Sequence, residues 1–518
     1  MRAAIYDRFW HSMGGGERHS GMIGQVLSQD GVDVDLLGHG DVDRDDLADH
    51  LGLDLSKTTM VVVPDRGDEA MARLSAEYDL FVNATYMSTL LPRSRHSAYL
   101  CFFPTPFDHD LARWRKVALR LVGRRLLRRY RNRLTLGWGV GWHPPEGGRR
   151  RQWIWSSGEG VVTMEPGEDR VLLMDLGRPG GPEPVDVTIS SSAGGALARV
   201  SVREAFARFS VAVPGSSEGQ ELHFSSETFV PGGTDKRTLG VALSRPRIAG
   251  SGRTLGLLLA SRFPWLLRDP DGSEFLGAYD TVLANSEYTA GWISRLWRTK
   301  ADVLHPPIQV DRLHPAQTRE RTVLSVGRFF APGLGHAKRQ LEMVQFFGHM
   351  VRHGQLEGWT MHVVGGCEDS QLPYLESVRE AAAGLPVEIH ANAPRPTVER
   401  LMSTASIFWS ATGFGEDEER SPWTHEHFGM TTAEAMAGGC VPIVIDRAGQ
   451  REIVRDGVDG FRWDTPDQLA ERTRQVAADE ALRARLARSA VRRAQRYSDE
   501  AFADRWRDIV HRRGLLEG

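Results

Sequence analysis

Cysteine is scarce: Cys101, Cys367 and Cys440 are three in 518 residues, odd in number and far apart. That argues against a disulfide framework or a cysteine-based zinc site and points to a reducing compartment, the cytoplasm. Net charge is nearly absent as well. With 64 basic and 67 acidic residues the formal charge is -3, so no global field draws the chain to nucleic acid or to an anionic membrane. No apolar run approaches the ~20 residues of a membrane-spanning helix. The opening Met1-Arg-Ala-Ala-Ile-Tyr-Asp7 enters a strand pattern without the apolar core of a signal peptide, so an integral membrane enzyme is not expected. Internal repeats and long low-complexity tracts are also missing.

What is present is an ordinary globular composition, 41% hydrophobic and 25% charged. At roughly 100–200 residues per domain the length calls for two to four cores, with three as the working number. Residues 1–100 alternate strand-like and helix-like segments. Arg2 to Tyr6, Asp33 to Leu37, Thr59 to Val63 and Leu80 to Val82 read as buried strands, with helical stretches at Glu17 to Ser28 and Glu69 to Tyr78. This rhythm predicts a parallel, doubly wound sheet. Residues 111–133 are strongly basic, with Trp114, Val117, Leu121 and Tyr130 at mostly helical spacings. The pattern fits a membrane-interface segment and, equally, a solvated helix covering the sheet.

Short alternating segments punctuated by Gly, Pro and Ser, such as Val185 to Ile189 and Phe209 to Val213, predict an antiparallel β-sandwich over 137–250 inserted into the first domain. Trp153, Trp155 and Phe224 there are a candidate sugar platform, although aromatics in a small sandwich more often form its core. The first domain resumes over 251–308, with a strand at Tyr279 to Ala284 and a helix near Ser286. After His305-Pro-Pro307 a second α/β domain occupies 309–485. Its strands are expected at Thr322 to Val326, Thr360 to Val364, Val387 to His390, Ile407 to Ser410 and Val441 to Ile445. Charged helices over 486–518 are expected to pack back toward the first domain.

Chemistry concentrates where strands end. Gly14-Gly-Gly16-Glu-Arg-His19 follows the first strand and opens a helix, so its amides can meet an anion. The full dinucleotide spacing and its acidic ribose ligand are missing, which disfavours NAD. Val326-Gly327-Arg328, followed by Gly335-His-Ala-Lys338, places a planar fork and a point charge beside a glycine loop, a pattern suited to a diphosphate. Gly365-Gly366 ends the next strand, either as a structural turn or as room for a flat nucleoside. The most informative stretch is Thr424-His-Glu426-His-Phe-Gly-Met-Thr-Thr-Ala-Glu434, running from a polar loop into a helix near Met430. One glutamate is loop-borne and one helix-borne. His425-Glu426-His427 lacks the spacing that sets two imidazoles on one helical face, so zinc is not expected there.

Glu426 and Glu434 with seven residues between them, the Arg328 and Lys338 loop before, and Ala435-Met-Ala-Gly-Gly-Cys-Val-Pro442 after, resemble glycosyltransferase family four. The similarity covers about residues 320–480 and, more faintly, the first domain, where Asn285-Ser286 also fits. It implies a two-Rossmann (GT-B) α/β fold with the donor in the interdomain cleft and neither metal nor other cofactor. It further implies retention: Arg328 and Lys338 on the donor diphosphate, Glu426 beside the donor sugar, and Glu434 on the ribose. Gly15 and Gly16 would close over the diphosphate, with Asn285, Gly327, Gly365, Phe428, Gly429, Met430 and Thr431 lining the donor. Phe102 stands where many relatives carry a His on the acceptor side; either His109 takes that role or it is unfilled. The Glu-His-Phe-Gly wording is similar to eukaryotic mannosyltransferases that extend lipid-linked oligosaccharides, which favours mannose as the hexose. The expected partners are a nucleotide sugar and a carbohydrate or lipid-linked acceptor, with peripheral membrane contact through 111–133 and no nucleic acid. A nucleotide-sugar epimerase and a non-catalytic carbohydrate-binding protein are the alternatives.

Overall fold

Strands covered on both faces read as near-continuous apolar runs, and two parallel sheets are assembled from such runs. The computed structural model describes residues 1–517 apart from 64–67, 107–110, 112, 124–135, 139–140, 144–145, 149–150, 165–166, 183, 193–194, 218, 232–236, 251–272 and 333–336. In the first domain seven parallel strands lie in the order Asp302–Val303, Thr281–Ala284, His96–Cys101, Leu80–Asn83, Arg2–Tyr6, Asp33–Gly38 and Thr58–Val62. The helix Gly15–Gln29 covers them with Met22, Ile23, Val26 and Leu27.

The second domain holds six parallel strands ordered Val387–Ala391, Thr360–Gly365, Glu320–Val326, Ala405–Ser410, Val441–Ile445 and Phe461–Trp463. Both sheets are thus the doubly wound kind, whose ligands sit at the carboxyl ends of the strands. Between the halves of the first domain, two five-stranded antiparallel sheets form the inserted sandwich, from Leu136–Trp138 to Ala242–Gly250. They share a core that includes Val162, Leu172, Ile189, Leu222 and Phe224. Phe224 and Trp155 are 0% and 4% exposed, so these two aromatics build the sandwich and offer no face to a sugar.

The C-terminal helices divide between the domains. Helix Glu480–Ala494 runs through the 485/486 boundary and buries Leu486, Ala490 and Ala494 in the second domain. The return begins at Ser498, which caps the helix Asp499–Arg513. Phe502, Ala503, Trp506, Ile509 and Leu515 complete the core of the first domain. Ion pairs fasten the rim: Arg507 to Asp30 at 2.8 Å, Arg513 to Asp302 at 2.8 Å and Arg18 to Asp499 at 2.5 Å.

Trp506 is fully buried, and its indole N–H has no hydrogen-bond partner among the described residues. Its contribution is therefore packing. Trp506→Ala is expected to cost about 3–5 kcal/mol in urea unfolding, and Trp506→Phe less. A loss for Trp506→Ala within about 0.5 kcal/mol, as at a surface position, would contradict this placement of the last helix.

Candidate functional site

Two glycines let the strand ends of the second domain converge. A Cβ at Gly365 would stand 2.0 Å from the Gly327 carbonyl oxygen, and one at Gly327 would stand 2.6 Å from Lys338 Cγ. The side-chain amide of Gln340 donates to the carbonyls of Gly327 and Arg328 at 2.9 and 3.0 Å, holding the loop in place. Lys338 thereby reaches Glu426: Nζ donates to Oε2 at 2.5 Å, with the two side chains 17% and 15% exposed. Thr412, just beyond the strand Ala405–Ser410, donates its hydroxyl to the same carboxylate oxygen at 3.2 Å. Arg328 is exposed, its guanidinium 4.9 Å from the centre of the Phe330 ring. Gly335 and His109 lie outside the described residues.

The Glu426 loop sends its neighbours in different directions. His425 is fully buried against the Ser421 carbonyl, and burial lowers its pKa. His427 stacks on Phe103 of the first domain, with ring centres 4.2 Å apart and planes 14° apart. The side chain of Phe428 is 3% exposed and packs against His305 and Tyr497. Gly429, at φ 113°, adopts a backbone that favours glycine and opens the helix Met430–Ala437. Thr431 lies half-buried in its first turn and Glu434 one turn on.

The glycine turn of the first domain meets that helix directly. A Cβ on Gly15 would lie 2.5 Å from Met430 Sδ, while one on Gly16 would touch the Phe102 ring at 3.5 Å. Phe102 also lies edge-on to His19, whose two ring nitrogens have no partner among the described residues. Burial pushes the His19 pKa down to about 3, so this imidazole is neutral. At the end of the first strand, burial and then the charge of Glu17 push Asp7 up to about 8. Asn285 is buried and accepts the hydroxyl of Ser286, which in turn caps the helix Glu287–Trp297.

Contacts from this helix hold the cleft together. The amides of Glu287 and Tyr288 donate to the Glu452 carboxylate of the second domain at 3.0 and 3.4 Å, and Tyr288 donates its hydroxyl to the Pro422 carbonyl at 3.1 Å. Arg18 donates to the Leu51 carbonyl at 2.5 Å and the Pro307 carbonyl at 3.3 Å, and Arg395 donates to Gln309. Both guanidinium charges act on Glu434.

Gly15 and Met430 thus meet across the cleft, while Lys338 and Glu426 pair within the second domain. Asn285 and Phe428 are packed behind the cleft lining. Sequence reasoning missed Thr412, Phe103, His427, Arg395 and Glu452. Phe103 had a local signal, since it follows Phe102 directly at a strand end, and Arg18 lies inside the glycine motif; Glu452 had none, because its partners are remote in sequence.

Burial raises the Glu434 carboxyl above its ordinary 4.5; Arg395 and Arg18 oppose that rise without cancelling it. The folded state therefore holds this proton more tightly than the unfolded state. The stability tied to the neutral form is complete below the unfolded value and is lost as pH rises through the folded one. Glu434→Gln removes that loss. The variant should melt higher than the parent near pH ~8, with the gap closing toward pH ~4; equal melting at both would contradict the assignment.

Residues 311–493 match the family model described as "Glycosyl transferases group 1". A GDP-Man:Man(3)GlcNAc(2)-PP-Dol alpha-1,2-mannosyltransferase of Dictyostelium discoideum is 23% identical over 242 residues, covering 43% of this chain and 46% of that protein. A D-inositol 3-phosphate glycosyltransferase of Nocardioides sp. is 30% identical over 152 residues, 29% of this chain and 33% of that one. The chain thus spans about half or less of these relatives. Among solved structures, Anabaena Alr3699/HepE in complex with UDP superposes with a TM-score of 0.52 at 11% identity, covering 99% of this chain and 100% of that one. A glycosyltransferase from Rickettsia africae ESF-5 gives 0.51 at 10% identity, covering 100% and 98%. At such identity the likeness is one of fold. Residues 311–493, the body of the second domain, thus match the group 1 glycosyltransferase model, and the chain as a whole has the GT-B fold of these structures.

Proposed function

We propose that the chain transfers a hexose, with retention and without a metal, from a nucleotide diphosphate sugar to an acceptor hydroxyl on a glycan, a lipid-linked glycan or a small molecule. The observation that carries this reading is the Lys338–Glu426 pair at 2.5 Å, in the domain whose Met430 helix meets the Gly15 turn. Leaving-group charge on a diphosphate needs fixed positive groups in a covered site, and such preorganised electrostatics usually contribute most to catalysis. Lys338, Arg328 and the N-terminus of the helix Met430–Ala437 supply that charge, the role a divalent cation would otherwise fill.

In this reading Glu426 lies beside the donor sugar and keeps Lys338 aimed at the phosphates. Glu434, ionised in the complex, accepts the ribose hydroxyls. The acceptor attacks from the face the leaving phosphate departs, and that phosphate takes the proton. The Phe102 ring fills the space under Gly16, so no imidazole acts from that position. GDP-mannose is the favoured donor, supported by the Glu-His-Phe-Gly loop and by the name of the Dictyostelium discoideum relative.

No described helix is long and apolar enough to cross a membrane. The helix Arg113–Ala118 and the turn after it expose Trp114, Val117 and Leu121 at 63%, 58% and 69%, beside Arg115 and Arg120. This supports peripheral contact with an anionic inner membrane surface, where a lipid-linked acceptor would reside. Trp114→Glu with Leu121→Glu should abolish sedimentation with anionic vesicles while leaving donor binding intact. Sedimentation that persists in the double variant would remove the segment from the account.

Glu426→Ala and Arg328→Ala are each expected to lower kcat/KM for sugar transfer by about 10²–10³-fold. The product should keep the anomeric configuration of the donor by NMR. Unchanged transfer in either variant would refute the placement of the site. Interconversion of the nucleotide sugar without acceptor would instead identify an epimerase.

A further inference from the structure

The outer two strands of the second sheet bring three ligating side chains to one face, upstream of the strand ends that line the cleft. His362 on Thr360–Gly365 pairs in register with Glu388 on Val387–Ala391, and His390 follows two positions later, on the same face as Glu388. His362 Nδ1 is 2.8 Å from His390 Nε2, and Glu388 Oε2 is 3.6 and 3.7 Å from those two nitrogens.

A hydrogen bond between the imidazoles accounts for the first distance but leaves the carboxylate out of hydrogen-bond reach of both rings. A shared cation accounts for all three. Donors bound to zinc at about 2.0–2.1 Å in a tetrahedron stand about 3.3–3.4 Å apart, and the separations of 2.8, 3.6 and 3.7 Å bracket that value, so a shift of a few tenths of an ångström seats the ion. His362 is 9% exposed, whereas the Glu388 side chain is 61% exposed, so the site has a rigid inner ligand and an open entry.

We propose that His362, Glu388 and His390 bind one borderline divalent transition-metal cation of the Zn²⁺ type, with water completing the coordination. Two imidazoles and one carboxylate favour such an ion over Ca²⁺ or Mg²⁺, which take oxygen ligands. The ion's role is structural. It fastens the edge strand Val387–Ala391 to the strand that ends in Gly365, whose backbone abuts Gly327 in the cleft. Just past the edge strand, Asn392 makes a similar cross-link by accepting from the Cys367 amide at 2.8 Å and donating to its carbonyl at 3.1 Å.

The test is a titration of the chelator-stripped full-length chain with Co²⁺, read by its d–d absorption, and with Zn²⁺, read by calorimetry and melting temperature. One cation per chain should bind, raise the melting temperature and be removed by EDTA. Glu388→Gln, at an exposed position, should melt like the parent without metal and bind at least about tenfold more weakly; His390→Gln should lose the Co²⁺ spectrum. No saturable binding by the parent, or parental affinity in a Glu388→Gln/His390→Gln double variant, would overturn the site. Either result is independent of sugar transfer.

Discussion

An ammonium and a carboxylate 2.5 Å apart, with 17% and 15% of their side chains exposed, organise the cleft. Either charge alone in that setting would carry a desolvation penalty of several kcal/mol, on the order of 3–5 when a buried pair loses one partner. Together they hold each other in place, and the Thr412 hydroxyl fills another acceptor position on Glu426. The surrounding backbone follows from this pairing. Gly327 admits the Lys338 stem, Gly365 admits the Gly327 carbonyl, Gln340 ties the loop, and Gly429 turns the chain after Glu426 into a helix. In the proposed function an incoming diphosphate meets a lysine already aimed and already dry.

The same closeness has consequences across the domains. Phe103 lies between His427 and Tyr288, Glu452 caps a first-domain helix, and the last helix of the chain returns to complete the first-domain core. Gly15 leaves room for the Met430 side chain, which a Cβ there would push aside. These contacts fix the distance between the glycine turn and the Met430 helix. They also bury charge at some expense. Glu434 is held above its ordinary pKa and Asp7 reaches about 8, as expected where a ligand site is kept at the cost of stability.

Much of this was legible in the sequence for definite reasons. Arg2–Tyr6 and Val441–Ile445 are apolar runs without alternation, and both are buried parallel strands. The start of the helix at Met430 was legible from Gly429. The strand His96–Cys101 escaped notice because its first half is mixed in polarity, and Phe461–Trp463 because it is three residues long. Residue type and setting singled out Arg328 and Lys338 near a strand end, Glu426 in a loop and Glu434 in a helix as candidates. Their pairing did not follow, since Lys338 and Glu426 are 88 positions apart and Tyr288 and Pro422 are 134 apart. The first contact depends on how the second domain folds and the other on the docking of two domains, and no local pattern encodes either.

The central claim is that this cleft holds a nucleotide diphosphate sugar through the Lys338 side and the Glu434 side at once. It is tested most directly by thermal shift of the parent chain with UDP-, GDP- and dTDP-sugars alongside the matching nucleosides and monophosphates. Stabilisation grows with occupancy, by about 2.7 kcal/mol at one hundred times Kd. The account predicts a clear shift with at least one nucleotide diphosphate sugar, little or none with its nucleoside, and loss of the shift in both Lys338→Ala and Glu434→Ala. No shift with any of the sugars, or a shift that survives both substitutions, would contradict it.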